Sequence, residues 1–140
     1  MVKAVPVGGA LYVCGPMGLL QAIRRAWQED ARSPSELRFE TFGTSGSHPA
    51  RPYQVRVPRH GVTVDVPVGT SLLDALQAAG VDVMYDCLRG ECGLCRVRIL
   101  EVDGDVDHRD VFLSARQRRE GRELCACVSR VAGRAATIDC

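Results

Sequence analysis

Residues 87–95 of the chain read CLRGECGLC, and a fourth cysteine follows later in the segment ELCAC. The spacing is C-x4-C-x2-C with a distant fourth member, and the residues are Cys87, Cys92, Cys95 and Cys125. Two irons bridged by two sulfides need four thiolates, two on each iron, and a tight loop can supply three of them. The pattern therefore predicts a [2Fe–2S] cluster with these four cysteines as its metal ligands.

Two glycines, Gly90 and Gly93, separate the loop cysteines. Glycine adopts positive φ angles without a steric penalty, which lets a backbone fold closely around a bound group. The N–H groups of such a loop can then point at the cluster sulfurs. We expect both glycines to belong to the cofactor-binding loop.

A structural zinc site is the alternative for four clustered cysteines. Such sites favour pairs of short C-x2-C knuckles, and the four-residue gap after Cys87 fits that pattern poorly. The iron–sulfur interpretation is therefore favoured.

The composition excludes several classes of partner. The formal net charge is +1 and aromatic residues make up only 5% of the 140 residues, which argues against a nucleic-acid partner. No apolar run reaches transmembrane length, and the N-terminus lacks a secretory pattern, so we expect no membrane partner. Because free thiols persist in a reducing compartment, the expected location is cytoplasmic.

Residues 43–52, GTSGSHPARP, show no hydrophobic periodicity and are predicted to be a linker. They divide the chain into a short part, residues 1–42, and a longer part, residues 53–140. The short part contains a strand at Ala10–Cys14, then a turn and a helix with an apolar stripe. That stripe is formed by Leu19, Leu20, Ile23 and Trp27.

The longer part is predicted to be an α+β unit. A hairpin over 53–66 is followed by a helix that begins after Ser71 and ends at Gly80, and then by the cysteine loop. Strands are expected at 96–102, Leu124–Val128 and Ala136–Asp139. This order is a β-grasp pattern. With its cysteine loop, the unit resembles the plant-type [2Fe–2S] ferredoxins over residues 53–140.

The short part resembles a different family through its strand, its Cys14-Gly15-Pro16 turn, its helix and the later segment LRFETFG. These features are similar to the end of the nicotinamide domain in ferredoxin-NADP reductase-like flavoproteins. The order of a nicotinamide-domain remnant, a linker and a ferredoxin unit resembles the phthalate dioxygenase reductase family.

That resemblance implies an oxygenase reductase component that carries electrons singly through its cluster. The implied donor is the flavin of a reductase domain or subunit, and the implied acceptor is a Rieske-type oxygenase or demethylase. FMN and NAD(P)H are expected only for full-length members. This chain lacks the flavin domain and a Gly-rich phosphate loop, and one strand with one helix forms no dinucleotide crevice. We therefore expect residues 1–42 to be a remnant, and we predict no catalytic residue.

Two other functions stay open from the sequence. The chain could be a subunit of an NAD(P)H-dependent oxidoreductase that another chain completes. It could instead be a structural domain stabilised by a metal without redox activity.

Several side chains near the motif have simpler interpretations. Cys127, two residues after Cys125, would share its face of a strand and lie near the cluster, but a small buried apolar role is favoured. The arginines before the fourth ligand are expected to form a solvated helical face, with a docking surface for an acidic partner as the alternative. They are Arg116, Arg118, Arg119 and Arg122. The three histidines, His48, His60 and His108, are expected to be solvated.

Overall fold

The computed structural model describes residues 2–15, 17–40 and 46–140. Pro16 of the predicted turn, Phe42 and the first residues of the predicted linker lie outside the described residues. The chain divides into two compact units, Met1–Thr44 (unit 1) and Ser45–Cys140 (unit 2). The domain boundaries expected from the sequence, at residues 42/43 and 52/53, stay predictions.

Unit 1 is a small β-α-β arrangement. Its two strands pair in parallel, with Leu11 opposite Leu37. Short 3-10 turns at Val2–Ala4 and Pro34–Glu36 complete the described part of the unit. Its elements are β1 (Leu11–Cys14), α1 (Met17–Glu29) and β2 (Leu37–Glu40).

The apolar face of α1 forms the core of unit 1. Leu20, Ile23 and Trp27 are buried there, and the Trp27 indole Nε1 donates a hydrogen bond of 2.9 Å to the carbonyl oxygen of Ser33. Leu19, which the sequence places in the same apolar stripe, is 43% exposed. A pair of strands covers only one side of a helix, and Leu19 lies at the edge of that side.

Unit 2 is built on one five-stranded mixed sheet with the strand order β4-β3-β9-β5-β7. Strand β3 pairs in parallel with β9, while the other neighbours are antiparallel. Strands β6 and β8 form a separate antiparallel pair. The elements are β3 (Tyr53–Val57), β4 (Val62–Val66), α2 (Leu72–Ala78), β5 (Arg96–Val102), β6 (Val106–Asp107), α3 (Ala115–Glu120), β7 (Glu123–Cys125), β8 (Arg130–Val131) and β9 (Ala135–Asp139).

Local sequence accounts for the start of unit 2. Alternating residues of β3 are buried, as a half-buried strand requires, and Gly61 at φ +65° closes the turn into β4. Ser71 caps α2, because its Oγ accepts a 3.0 Å hydrogen bond from the Asp74 N–H. Gly80, at φ +77°, follows the end of α2. The described residues 79–95 then contain no helix or strand, and this segment is the cysteine loop.

The strand predicted over Leu124–Val128 is shorter than expected. Strand β7 ends at Cys125, because the N–H groups of Val128 and Ser129 both turn back to donate to the Cys125 carbonyl oxygen, at 3.2 and 2.9 Å. Cys127 therefore lies in the turn and does not share a strand face with Cys125.

The α+β class and the β-grasp arrangement predicted for the longer part are confirmed by this topology. Within the described residues, the search for a helix long and apolar enough to cross a bilayer finds none.

Candidate metal centre

The cysteine loop depends on glycine at two positions. Gly90 and Gly93 both have φ angles of +73°, as the sequence predicts. A Cβ at Gly90 would lie 2.6 Å from Val128 Cγ2 and 2.8 Å from the Asp110 Cα. A Cβ at Gly93 would lie 2.5 Å from the ring of Phe112. Conformation and close packing therefore both exclude a side chain at these positions.

The sulfur of Cys87 lies in a cradle of backbone donors. The N–H groups of Arg89, Glu91 and Cys92 donate to Cys87 Sγ at 3.4, 3.3 and 3.4 Å. Burial raises the pKa of this thiol, but the three N–H groups and the neighbouring Cys92 thiol together lower it to about 7. Since metals bind the thiolate, this loop favours the form of Cys87 that a cluster needs.

The remaining thiols lie on the other side of the loop. Cys95 Sγ lies 3.2 Å from Cys127 Sγ and also interacts with the Cys125 thiol. The contacts with Cys125 and Cys127 lower the pKa of Cys95. The pKa values of Cys125 and Cys127 rise in turn, because of their hydrogen-bond contact with Cys95 and because burial disfavours their thiolates. Three thiols, Cys95, Cys125 and Cys127, therefore lie together here, whereas the sequence predicted only Cys95 and Cys125 as cluster ligands.

Cys125 and Cys127 have different surroundings. Cys125 is fully buried at the end of β7, and the Asp110 carboxylate nearby raises its pKa further. Cys127 is half-buried, the Gly90 N–H acts on its sulfur, and Cys87 is close enough to act on it electrostatically. Among the described residues, no group of three or more His, Cys, Asp or Glu side chains is arranged to hold a metal ion.

A buried carboxylate supports the loop. Asp110 is 0% exposed, and its carboxylate accepts hydrogen bonds from the Leu113 N–H at 2.8 Å and the Ser129 hydroxyl at 3.0 Å. Burial raises the pKa of Asp110. The favourable contacts with His108, the Leu113 N–H, Arg118 and Ser129 outweigh that effect and hold the pKa below its ordinary value.

Two expectations about charged side chains were wrong at this carboxylate. His108 is not solvated, since its side chain is 9% exposed and its Nδ1 lies 3.5 Å from Asp110 Oδ1. Arg118 turns inward from α3, with a guanidinium nitrogen 3.6 Å from Asp110 Oδ2 and a hydrogen bond to the Asp110 carbonyl oxygen. Arg116 does remain exposed, paired at 2.8 Å with Glu120.

The segment after Asp110 is bonded directly to the loop. The N–H groups of Val111 and Phe112 donate to the Gly90 carbonyl oxygen at 3.0 and 3.2 Å. The ring of Phe112 covers Gly93 and lies 5.3 Å from the Arg96 guanidinium. Asp110 and Phe112 were not predicted from the sequence as residues that support the loop. The sequence around them, HRDVFL at residues 108–113, shows polar residues followed by apolar ones. Such a pattern does not indicate which charged side chain is buried.

Large apolar side chains are exposed along the loop and beside it. Each of them is at least 40% exposed. They are Met84, Tyr85, Leu88, Leu94 and Phe112.

We expect Gly90→Ala to destabilise the apo form of unit 2 by about 1–3 kcal/mol and to reduce cluster retention, because the new Cβ overlaps Val128 and Asp110. Urea unfolding and iron content measure the two effects. Gly80→Ala is the matched control, since Gly80 has φ +77° and a Cβ added there would meet no atom within 4 Å. Equal losses in both variants would mean that backbone strain alone, and not packing against the loop, explains the effect.

The β-grasp topology and the thiol-rich, glycine-dependent loop define an iron–sulfur protein of the ferredoxin type. The family model described as the 2Fe-2S iron-sulfur cluster binding domain matches residues 55–132. The chain belongs to this family, and the predicted [2Fe–2S] cofactor is confirmed at that level.

Individual relatives agree with the predicted oxygenase reductase resemblance. The chain is 38% identical to the heme-dependent oxidative N-demethylase beta subunit of Ectopseudomonas mendocina over 95% of this chain and 41% of the relative. It is 34% identical to the phthalate 4,5-dioxygenase oxygenase reductase subunit of Pseudomonas putida, over 94% and 40%. The solved structure of phthalate dioxygenase reductase matches with a TM-score of 0.65 and 29% identity, over 94% and 40%. The chain thus spans about two fifths of the length of these relatives.

Proposed function

We propose that this chain is the one-electron transfer module of an oxygenase reductase system. The donor is a reduced flavin in a reductase domain or subunit, and the acceptor is an oxygenase or demethylase. The observation that carries the proposal is the cradle of three N–H groups around Cys87, within a loop that glycine alone permits. The names of the relatives, a demethylase subunit and a dioxygenase reductase subunit, support the choice of acceptor.

The thiols and amides of the loop fit a [2Fe–2S] cluster. When bound, the cluster supplies reversible one-electron chemistry, typically near about −400 mV for the plant type. The chain contributes thiolate ligands, N–H groups that stabilise negative charge on sulfur, and partial exclusion of water. The Asp110 network and the Phe112 ring keep the loop closed around this site.

We propose that Cys87, Cys92 and Cys95 are three of the ligands and that Cys127, in place of Cys125, is the fourth. Cys127 Sγ lies 3.2 Å from Cys95 Sγ, and the nearby Gly90 backbone acts to lower the pKa of Cys127, whereas Cys125 is a fully buried member of the core. The role proposed for Gly90 and Gly93 is to let the backbone close on the cluster.

The exposed apolar side chains along the loop offer a docking face for electron-transfer partners. A surface of this kind buries well against a partner, while the surrounding charges set orientation and rate of encounter. The cytoplasm remains the expected compartment, because a reducing environment keeps the ligand thiols available.

A second candidate function is favoured by one feature of unit 1. Within the described residues of unit 1, the sheet consists of two parallel strands, with Tyr12 79% exposed and Phe39 37% exposed, and parallel sheets are normally covered on both faces. In this alternative, another chain completes the nicotinamide domain, and the assembly is an NAD(P)H-dependent oxidoreductase. FMN and NAD(P)H then belong to the assembly and not to this chain alone.

We expect the anaerobically reconstituted protein to hold two irons and two acid-labile sulfides per chain. It should take up one electron from dithionite, with bleaching of its visible bands and a paramagnetic signal at low temperature. NADH alone should leave the bands unchanged, and NADH with a complete oxygenase reductase should bleach them. Stoichiometric zinc without sulfide would contradict the electron-transfer proposal. Bleaching by NADH alone, in a preparation free of other reductases, would favour the second candidate.

A further inference from the structure

Asp107, at the end of β6, contacts the first described residues of unit 2. Its side chain is buried, with both oxygens engaged. Oδ1 accepts a 2.7 Å hydrogen bond from the Ser47 N–H and lies 3.6 Å from Nδ1 of His48. Oδ2 is bound by Nε and a terminal nitrogen of Arg109, at 2.9 and 2.8 Å. Ser47 and His48, which belong to the predicted linker, both lie against this buried carboxylate.

The backbone at Gly46 shows how closely the chain passes over this ion pair. Gly46 has φ +75°, and a Cβ there would collide with Asp107 Oδ2 and with the Arg109 guanidinium. Both the conformation and the contact therefore require glycine. Such a close approach of backbone to a buried ion pair defines a specific binding position for residues 46–48.

The segment that binds these residues also supports the cluster loop. The Arg109 N–H donates to the Ser129 hydroxyl at 3.0 Å, and that hydroxyl donates to Asp110. Two residues further on, Val111 and Phe112 donate to the Gly90 carbonyl oxygen. One short stretch, residues 107–112, thus holds the incoming chain through Asp107 and the cluster loop through its following residues.

We propose that Asp107 is a positioning residue that anchors the linker beside the cluster loop and so limits how far the preceding unit can move from the cluster. With the anchor, the chain between Glu40 and Ser47 has about six residues, which can span at most roughly 20 Å. Without it, the free stretch extends to Tyr53, about twelve residues, and the reach doubles to roughly 40 Å. This proposal rests on the proposed function in one respect: it takes the electron donor to lie in the part of the protein that precedes the linker.

Two readouts test this anchor in the whole chain with its cluster. The first is hydrogen exchange at the Ser47 amide. The second is the fluorescence decay of Trp27, the single tryptophan of the chain, which belongs to unit 1. Energy transfer to the visible bands of a cluster in unit 2 would shorten this decay more strongly as the distance between the two falls. In Asp107→Ala we expect Ser47 exchange to accelerate roughly tenfold or more, as for loss of a charge-assisted hydrogen bond. The Trp27 decay should gain longer lifetimes.

Gly46→Ala provides a second variant that leaves Asp107 in place, and the same two changes are expected from it. The controls are Asp105→Ala, an exposed carboxylate two residues away, and Gly69→Ala, at a glycine with φ +87° where an added Cβ would meet no atom within 4 Å. Neither control should change either readout. Unchanged Ser47 exchange in both test variants would overturn the anchor, and faster exchange with an unchanged Trp27 decay would overturn its positioning role. If the wild-type protein fails to take up a cluster, that result contradicts the proposed function. The Ser47 exchange rates would still show whether Asp107 anchors the linker.

Discussion

Cys127→Ala is expected to leave the protein with almost no iron or labile sulfide after reconstitution, whereas Cys125→Ala is expected to retain both. Cys127 contacts Cys95, one of the loop thiols, so its loss removes the thiolate that we propose as the fourth ligand. Cys125 is a fully buried member of the core, where alanine removes one sulfur and leaves no unsatisfied polar group. Iron, sulfide and visible absorbance per chain measure the difference.

The loop variants Cys87→Ala, Cys92→Ala and Cys95→Ala provide the reference for complete loss of the cluster. Cys140→Ala is the matched control, since this half-buried thiol lies at the end of the chain. Loss of the cluster in Cys125→Ala with retention in Cys127→Ala would restore the ligand set predicted from the sequence. Loss in both, with the apo fold intact by circular dichroism, would contradict the assignment of a single fourth ligand.

Asp110→Ala is expected to lower the free energy of unfolding of the apo protein by about 3 kcal/mol or more. The substitution leaves the Leu113 N–H and the Ser129 hydroxyl without their acceptor and removes the partner of Arg118. Asp110→Asn keeps the shape and should cost less. Urea unfolding at pH 7 measures both variants, and Asp82→Ala, at an exposed carboxylate, should stay within about 0.5 kcal/mol of wild type.

The pH dependence provides an independent check on Asp110. Because its contacts hold its folded-state pKa below the ordinary value of about 3.9, its ionised form stabilises the fold above that pH. This contribution is lost as the pH falls through the lower, folded-state pKa. The difference in stability between wild type and Asp110→Asn should therefore be constant from pH 7 to 5 and shrink in strong acid. A difference that persists unchanged in acid would mean that the charge of Asp110 contributes nothing.

Much of the unit 2 fold follows from local sequence. The alternation from Tyr53 to Val66 predicts the hairpin, and the Ser71 cap with Gly80 predicts the limits of α2 to within a residue or two. These features depend on residues that are close together in the chain, so they can be predicted directly from the sequence. Leu19 was harder to predict, because its exposure depends on how much of α1 the two strands of unit 1 cover.

The site was predicted less completely than the fold. The C-x4-C-x2-C loop and the positive φ angles of Gly90 and Gly93 are visible in the sequence, since both come from a single short segment. The preference that we propose for Cys127 over Cys125 as the fourth ligand is not visible in the sequence, because it depends on where β7 ends and the chain turns back. Asp110 was missed, and Arg118 was expected to be solvated, for a similar reason: the inward turn of each side chain depends on the partner that it meets.

Residue types and their spacing are enough to predict the thiol-rich loop, the glycines that let it close, and the alternating strands of an α+β unit. These are properties of spacing and local conformation. Which groups meet depends on the tertiary fold: Cys127 lies against Cys95, Asp110 packs against Gly90, and the Ser47 N–H donates to the buried Asp107. Residues far apart in sequence make these contacts, and burial makes them specific, because a buried polar group must find its partner wherever the fold brings one.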